Sequence, residues 1–327
     1  MITLGIESSC DETSVAILRD TTVIKNGIYS QTEHSQFGGV VPEIASRAHL
    51  EKIDHLTESV FAETDINIKD IDLISVTDSP GLAGALLVGV SFALGLHTTL
   101  NKPITGINHL EGHIFSALLE NPDLSFPFLA LVVSGGHTAI YTVHDTGKYD
   151  LLGQTVDDAA GEAFDKVGKM LGFTYPAGRS IEHEASMVQN EKSITFPVAR
   201  ISSNNLNFSF SGLKTAVKYF IKDKNDQYIN ENRSRICFAF QKAVIDSLSN
   251  NLAIAVKSTK IRRIALVGGV ACNQSLRQAL QNKFGTDIRF PSPELCTDNA
   301  AMIALAGYNR YRKKQLRFPT MNPSAPL

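Results

Sequence analysis

The sequence predicts a duplicated α/β fold of two lobes, and three observations carry that prediction. Short apolar runs of strand length alternate with longer stretches of helical period, as expected of sheets covered by helices. The order of these runs occurs twice, as three strands followed by helix-strand-helix-strand-helix. The chain has 327 residues, enough for two such units.

In the first half, Ile2 to Ile6 reads as a buried strand ending in the polar turn Glu7-Ser8-Ser9-Cys10-Asp11-Glu12. Thr13 to Leu18 and Thr22 to Tyr29 follow as strands. Pro42 to Phe61 is an amphipathic helix with proline at its first position. Ile71 to Val76 is a strand, Ala83 to Thr98 a small-residue helix, and Ile104 to Ile107 a short strand before a helix carrying two histidines. In the second half, Phe128 to Val133, His137 to Val143 and Tyr149 to Val156 form the three strands. A helical insertion over about 157–259 intervenes. Then come strand Arg263 to Val267, helix Cys272 to Phe284, strand Asp287 to Phe290 and a last helix from Thr297 to about Arg312. The predicted lobes are 1–125, joined by the C-terminal helix 298–320, and 126–297. Duplication of this kind implies two lobes facing each other across a cleft, with the turn after each first strand pointing into it.

Composition is that of an ordinary globular enzyme, with 43% hydrophobic and 20% charged residues. With 31 basic against 33 acidic residues, overall charge does not announce a nucleic-acid partner, and a local patch or helper protein would have to supply the attraction. Cys10, Cys237, Cys272 and Cys296 form no C-x-x-C pair, so reduced thiols in the cytoplasm are expected. The N-terminus lacks the pattern of a signal peptide. The apolar run Ala83 to Leu96 is too short, and too broken by glycine, to predict a membrane span.

His109 and His113 lie four residues apart in a predicted helix, so both imidazoles share a face and can close on one ion. Glu111 sits two residues from each, roughly 200° round the helix at about 100° per residue. It faces away from the metal and cannot be the general base of a zinc protease, whose glutamate adjoins a histidine. A carboxylate would suit as third ligand. Asp298 is the candidate, because it opens the helix that corresponds to the two-histidine helix in the repeat; a helix cap is its alternative role. Asp11 and Glu12, in the first turn, could relay a proton or simply end the strand.

Ser134-Gly135-Gly136 and Gly268-Gly269 follow apolar strands and read as phosphate-binding turns, since glycine lets backbone N–H groups approach an anion. Taken as corresponding places in two repeats, they suggest a nucleotide between the lobes. Asn273 could meet a base edge or cap its helix. Asp157 and Asp158 suit a first helical turn. Asp165 lies deeper in that helix, where it could bind a ribose hydroxyl or pair with Lys169. Arg310, Arg312, Lys313, Lys314 and Arg317 read as a solvated helix end, with a polynucleotide contact as the alternative.

These residues together resemble the tRNA N6-adenosine threonylcarbamoyltransferase family. The matching stretches are Gly5 to Ser14, Pro80 to Gly89, His109 to His113, Val133 to Thr138, Asp157 to Lys166, Phe208 to Val217, Gly268 to Asn273 and Leu295 to Asn299. The resemblance implies the actin/hexokinase/Hsp70-like (ASKHA) fold. It also implies transfer of a threonylcarbamoyl group from threonylcarbamoyl-AMP to N6 of adenosine 37 in tRNAs reading codons that begin with A. The implied metal ligands are His109, His113 and Asp298, holding one divalent ion per subunit, Fe2+ with Zn2+ as the alternative. The implied adenylate contacts are Val132, Val133, Ser134, Gly135, Gly136, Asp165, Gly178, Glu182 and Asn273. Asp11 and Glu12 are the candidate proton acceptors. Implied partners are a TsaB-like paralogue that pairs with the enzyme and a TsaE-like P-loop ATPase. The chain departs from the family pattern at Ala177-Gly178-Arg179, Asp78-Ser79 and Ala300, each placing added side chain beside the expected cleft. A metallopeptidase and a small-molecule kinase of the same fold are the competing readings.

Overall fold

Each half of the chain builds a five-stranded sheet around its first strand. In the computed structural model, which describes residues 1–188, 193–198 and 206–327, β1 (Ile2–Glu7) lies at the centre of the first sheet. β2 (Glu12–Arg19) pairs antiparallel with it, and β3 (Thr22–Ser30) pairs antiparallel with β2. β4 (Leu73–Ser79) runs parallel on the other side of β1, followed by parallel β5 (Ile104–Asn108). All seven residues of β4 are buried, which requires both faces of the sheet to be covered. Helices α1 (Pro42–Ala62), α2 (Ala83–Leu100), α3 (His109–Glu120) and the late α10 (Ala300–Arg312) provide that cover. Leu4, Ile6, Val15, Ile17, Ile53, Val60, Ile74 and Val76 make a continuous core.

The second sheet has the same plan. β6 (Phe128–Val133) is central, with antiparallel β7 (Thr138–Asp145) and then β8 (Lys148–Gln154) on one side. Parallel β9 (Ile264–Val267) and β10 (Ile288–Arg289) lie on the other. The orders β3-β2-β1-β4-β5 and β8-β7-β6-β9-β10 correspond strand for strand, so the duplication read from the sequence is real. Between β8 and β9 the expected helical stretch is four separate helices among the described residues: α4 (Ala160–Met170), α5 (Gly178–Ser186), α6 (Ser211–Lys222) and α7 (Asp226–Thr259). α8 (Gln274–Phe284) connects β9 to β10, and the short α9 (Pro293–Cys296) precedes α10.

Two compact units result, Met1–Leu124 with Asp145–Tyr149 and Pro291–Leu327, and Ser125–His144 with Asp150–Phe290. The stretches 145–149 and 291–297, which the sequence reading assigns to the second lobe, thus group with the first.

Three local expectations are corrected. α2 ends at Leu100 rather than Thr98, which gives it 18 residues and makes it long and apolar enough to cross a membrane by length and composition. Two of its three glycines are sites of close approach, since a side chain at Gly84 or Gly89 would collide with Ser46 or Ser8. The last helix starts at Ala300 rather than Thr297, because Asn299 caps it by accepting from the Met302 amide at 3.0 Å. Asp157 and Asp158 precede α4 instead of forming its first turn. Asp157 accepts from the Phe210 and Ser211 amides at the start of α6, and Asp158 pairs with Lys166 and Lys214.

Candidate metal centre and glycine turns

The polar cluster of the first unit is built at the ends of three strands. β5 ends in Asn108, whose Oδ1 accepts from the Leu110 amide at 2.9 Å and so starts α3. His109 and His113 then lie on one face of α3, one turn apart, both buried. Asp298 is brought to them from the other end of the sequence by α10, which packs on α3. Its Oδ1 is 3.1 Å from His113 Nε2 and 3.5 Å from His109 Nε2. Because Asn299 is the cap, Asp298 is not spent on capping.

These three residues fit a metal. One ligand atom from each lies within 4.8 Å of the others. Two atoms bound at about 2.1 Å to one ion, at tetrahedral or octahedral angles, sit roughly 3.0–3.4 Å apart. Both ring nitrogens of His113 are fully buried and make no hydrogen bond, a costly state that a bound cation at Nε2 would relieve in part. The imidazole and carboxylate donor set suits iron or zinc.

Glu7, which the sequence reading did not single out, completes the arrangement. Its Oε2 is 3.0 Å from His109 Nδ1 and accepts from Thr77 Oγ1 at 2.6 Å, while Oε1 accepts from the Ser9 amide at 2.6 Å. An acceptor at Nδ1 keeps a proton there, so Nε2, once it has lost its own proton, is the nitrogen that would ligate an ion. Burial opposes charging His109, but the Asp298 and Glu7 carboxylates outweigh it and raise its pKa to about 9. Burial also disfavours ionised Glu7, yet His109 beside it holds the carboxyl below its ordinary value. A polar residue at a strand end was the only signal of Glu7, and any turn residue gives the same one.

Asp11 ends the turn after β1, and Glu12 opens β2. Burial first, then the Asp298 and Asp11 carboxylates, push the Glu12 carboxyl up to about 10, so it is protonated at neutral pH and donates to Asp11. The turn is braced by His49, a second residue the sequence reading missed. His49 Nε2 donates to the Cys10 carbonyl at 2.9 Å and Nδ1 meets Thr13 Oγ1 at 2.7 Å. Glu111 faces away from the histidines, as its spacing predicts. It is fully buried, bound by Arg310 Nε and Nη2 at 3.0 and 2.7 Å and by the Tyr149 hydroxyl at 2.7 Å. The basic C-terminal run is therefore no simple solvated end: Arg310, Lys313 and Arg317 pair with Glu111, Asp145 and Asp78.

In the second unit the two Gly-Gly turns are neighbours. They do not occupy corresponding places in the two repeats, because both belong to the second, after the adjacent parallel strands β6 and β9. Val132 pairs with Val267 across that ladder, so both turns lie at strand C-terminal ends, the position where open α/β sheets bind ligands. Gly268 has φ of +94°, and a Cβ there would lie 2.5 Å from the Val133 carbonyl oxygen. Only glycine fits this close contact at positive φ. Gly135 and Gly136 are exposed and face open space. The Ser134 hydroxyl accepts from the His137 amide at 3.1 Å and closes the first turn.

The polar side chains expected to hold adenylate are engaged with the protein itself. Asn273 caps α8 through the Leu276 amide at 2.9 Å and donates to Gln241 Oε1 at 2.8 Å. Glu182 accepts from the Gln274 amide at 2.6 Å, and Asp165 from the Ala177 amide at 2.8 Å, just before Gly178 opens α5.

The family model described as TsaD, tRNA N6-adenosine threonylcarbamoyltransferase, matches residues 22–305. A tRNA N6-adenosine threonylcarbamoyltransferase of Thermodesulfovibrio yellowstonii is 47% identical, over 100% of this chain and 99% of its own length. That of Thermosipho africanus is 49% identical over 96% of this chain and 95% of its own. Among solved structures, HypF of T. kodakarensis covers 97% of this chain and 49% of its own length, with a TM-score of 0.66 at 12% identity. That last likeness is one of fold alone, the ASKHA fold.

Proposed function

Since this chain belongs to the tRNA N6-adenosine threonylcarbamoyltransferase family, we propose that it transfers the threonylcarbamoyl group of threonylcarbamoyl-AMP to N6 of adenosine 37 in tRNAs reading codons that begin with A. AMP is the leaving group. The observation that supports this reading is the convergence of His109, His113 and Asp298 in a chain similar over its whole length to these transferases.

His109, His113 and Asp298 would hold a divalent ion, Fe2+ with Zn2+ as the alternative, which when bound would supply Lewis-acid chemistry toward the adenylate. Glu7 fixes the His109 tautomer that such binding needs. Backbone N–H groups at Gly135, Gly136 and Gly269 offset the phosphate's negative charge. Asp165, Gly178, Glu182 and Asn273 orient the nucleoside, and Val132, Val133 and Ser134 set the position of the first turn. Adenine N6 is a weak nucleophile, so orientation and a proton acceptor both matter. Asp11 and Glu12 are the candidate acceptors of the N6 proton.

The partners we assign are tRNA, threonylcarbamoyl-AMP, a TsaB-like paralogue and a TsaE-like P-loop ATPase, and the compartment is the cytoplasm. The paralogue suits the outer face of α1 and α2, where Leu50 and Leu87 are 69% and 54% exposed. The peptidase reading loses its base, because Glu111 is held by Arg310 and Tyr149.

The test is incubation of the purified chain with threonylcarbamoyl-AMP and unmodified tRNA, with and without the partner proteins, and mass analysis of the nucleosides. The modified adenosine is expected. Its absence under both conditions, or release of peptides from a denatured protein substrate that ceases in His109→Ala, overturns the assignment.

A further inference from the structure

Among the departures from the family pattern, Asp78 has a structural reason. It sits at an irregularity in the β4–β5 ladder, where Thr77 pairs with Ile107 and Ser79 with Asn108, leaving Asp78 as the extra residue. A bulge re-aims its residue's side chain. Asp78 is fully buried, and its carboxylate meets four donors: Arg317 Nη1 and Nη2 at 2.6 Å each, the Thr320 amide at 2.9 Å and Ser79 Oγ at 3.0 Å. A bidentate guanidinium fixes direction as well as distance, which a lysine could not do.

The ion pair anchors a longer attachment. The chain after α10 lies along β4 and β5 as an irregular strap. The Gly106 amide donates to the Arg317 carbonyl at 3.0 Å, the Asn322 amide to the Asp78 carbonyl at 2.9 Å, and the Gly81 amide to the Pro323 carbonyl at 3.2 Å. At its far end the Pro326 carbonyl accepts from Asn108 Nδ2 at 3.2 Å. Asn108 is the cap of α3, and its Oδ1 holds the Leu110 amide. The strap therefore grips one end of the side-chain amide whose other end starts the metal helix. Without that grip the amide can rotate and present its NH2 to Leu110, which cannot cap.

We propose that Arg317 and Asp78 are positioning residues for the metal centre: their ion pair seats the strap, and the strap's carbonyl fixes the Asn108 cap that places His109 and His113. This rests on the metal reading above. Neither residue is one of the three candidate ligands.

The test uses the full chain as wild type, Arg317→Lys and Arg317→Ala. Each metal-free protein is titrated with Co2+ against a competing chelator, following the visible bands of the bound ion, and amide exchange is followed at Leu110, Gly81 and Asn322. Arg317→Ala is expected to raise the Co2+ dissociation constant about tenfold, the lower end for losing an outer-shell support. Exchange at all three amides should quicken, with Arg317→Lys intermediate because it keeps the charge but not the fork. The inference is overturned if Gly81 and Asn322 exchange faster in a variant while Leu110 exchange and Co2+ affinity stay within twofold of wild type. Should Arg317→Ala not fold, Arg317→Lys decides by the same criterion. If the wild type binds no Co2+, the metal reading fails, and Leu110 exchange alone then decides whether the strap holds the cap.

Discussion

The two units use buried polarity in opposite ways. In the first, ligand atoms of His109, His113 and Asp298 gather within 4.8 Å of one another, and neither ring nitrogen of His113 makes a hydrogen bond. In the second, Asn273, Glu182 and Asp165 are occupied with backbone and neighbouring side chains, and what stays open is the backbone of two glycine turns. On the proposed function, the first unit would offer side-chain ligands to a cation, and the second would offer main-chain donors to an anion. If that contrast is right, mutations should separate metal binding from nucleotide binding.

The largest effect is expected for His113→Ala and Asp298→Ala. Elemental analysis should find the metal content of the wild type almost abolished, while AMP affinity by calorimetry stays within about twofold. Joint loss of both would break the contrast. Glu7→Gln removes the negative partner of His109 and should weaken metal binding about 10- to 100-fold, with AMP affinity again unchanged. Gly268→Ala is the reverse case: the forced positive φ and the contact with Val133 should destabilise the second unit by roughly 1–3 kcal/mol and abolish most AMP binding. Its metal content should remain that of the wild type. Asn273→Ala removes a helix cap and should cost about 1 kcal/mol in a denaturant titration.

The smallest effect concerns pH. Burial disfavours the charge on Asp158, but Lys166 and Lys214 hold its carboxyl below the ordinary value. The folded pKa thus lies below the unfolded one, so the pair's contribution is present above the ordinary carboxylate range and is lost as pH falls through the depressed value. Denaturant titrations of wild type and Asp158→Asn should differ at neutral pH and converge in acid. A constant gap across that range would contradict the assignment.

How far the sequence was legible follows the range of each interaction. Strands such as β6 were readable because burial on both faces leaves a continuous apolar run. The His109–His113 pair was readable because helix periodicity is local. Pairings made over long chain separations were not. Nothing near Glu7 announces His109, and nothing near Asp78 announces Arg317, 239 positions later. The basic run at the end of α10 and beyond reads as a solvated end because its three acidic partners are scattered over the chain. The Gly-Gly turns were recognised singly, but placing them in one sheet required the β6–β9 pairing. Asp78, a polar residue with no evident role by sequence alone, is half of a buried ion pair.

The most direct test of the metal's role is a single-turnover transfer with preformed threonylcarbamoyl-AMP and unmodified tRNA, using chelator-stripped protein before and after adding back Fe2+. Wild type is expected to recover the modified adenosine only on addition of the metal, and Asp298→Ala to remain inactive at the same concentration. Undiminished product from the stripped protein, or from Asp298→Ala, would contradict the account.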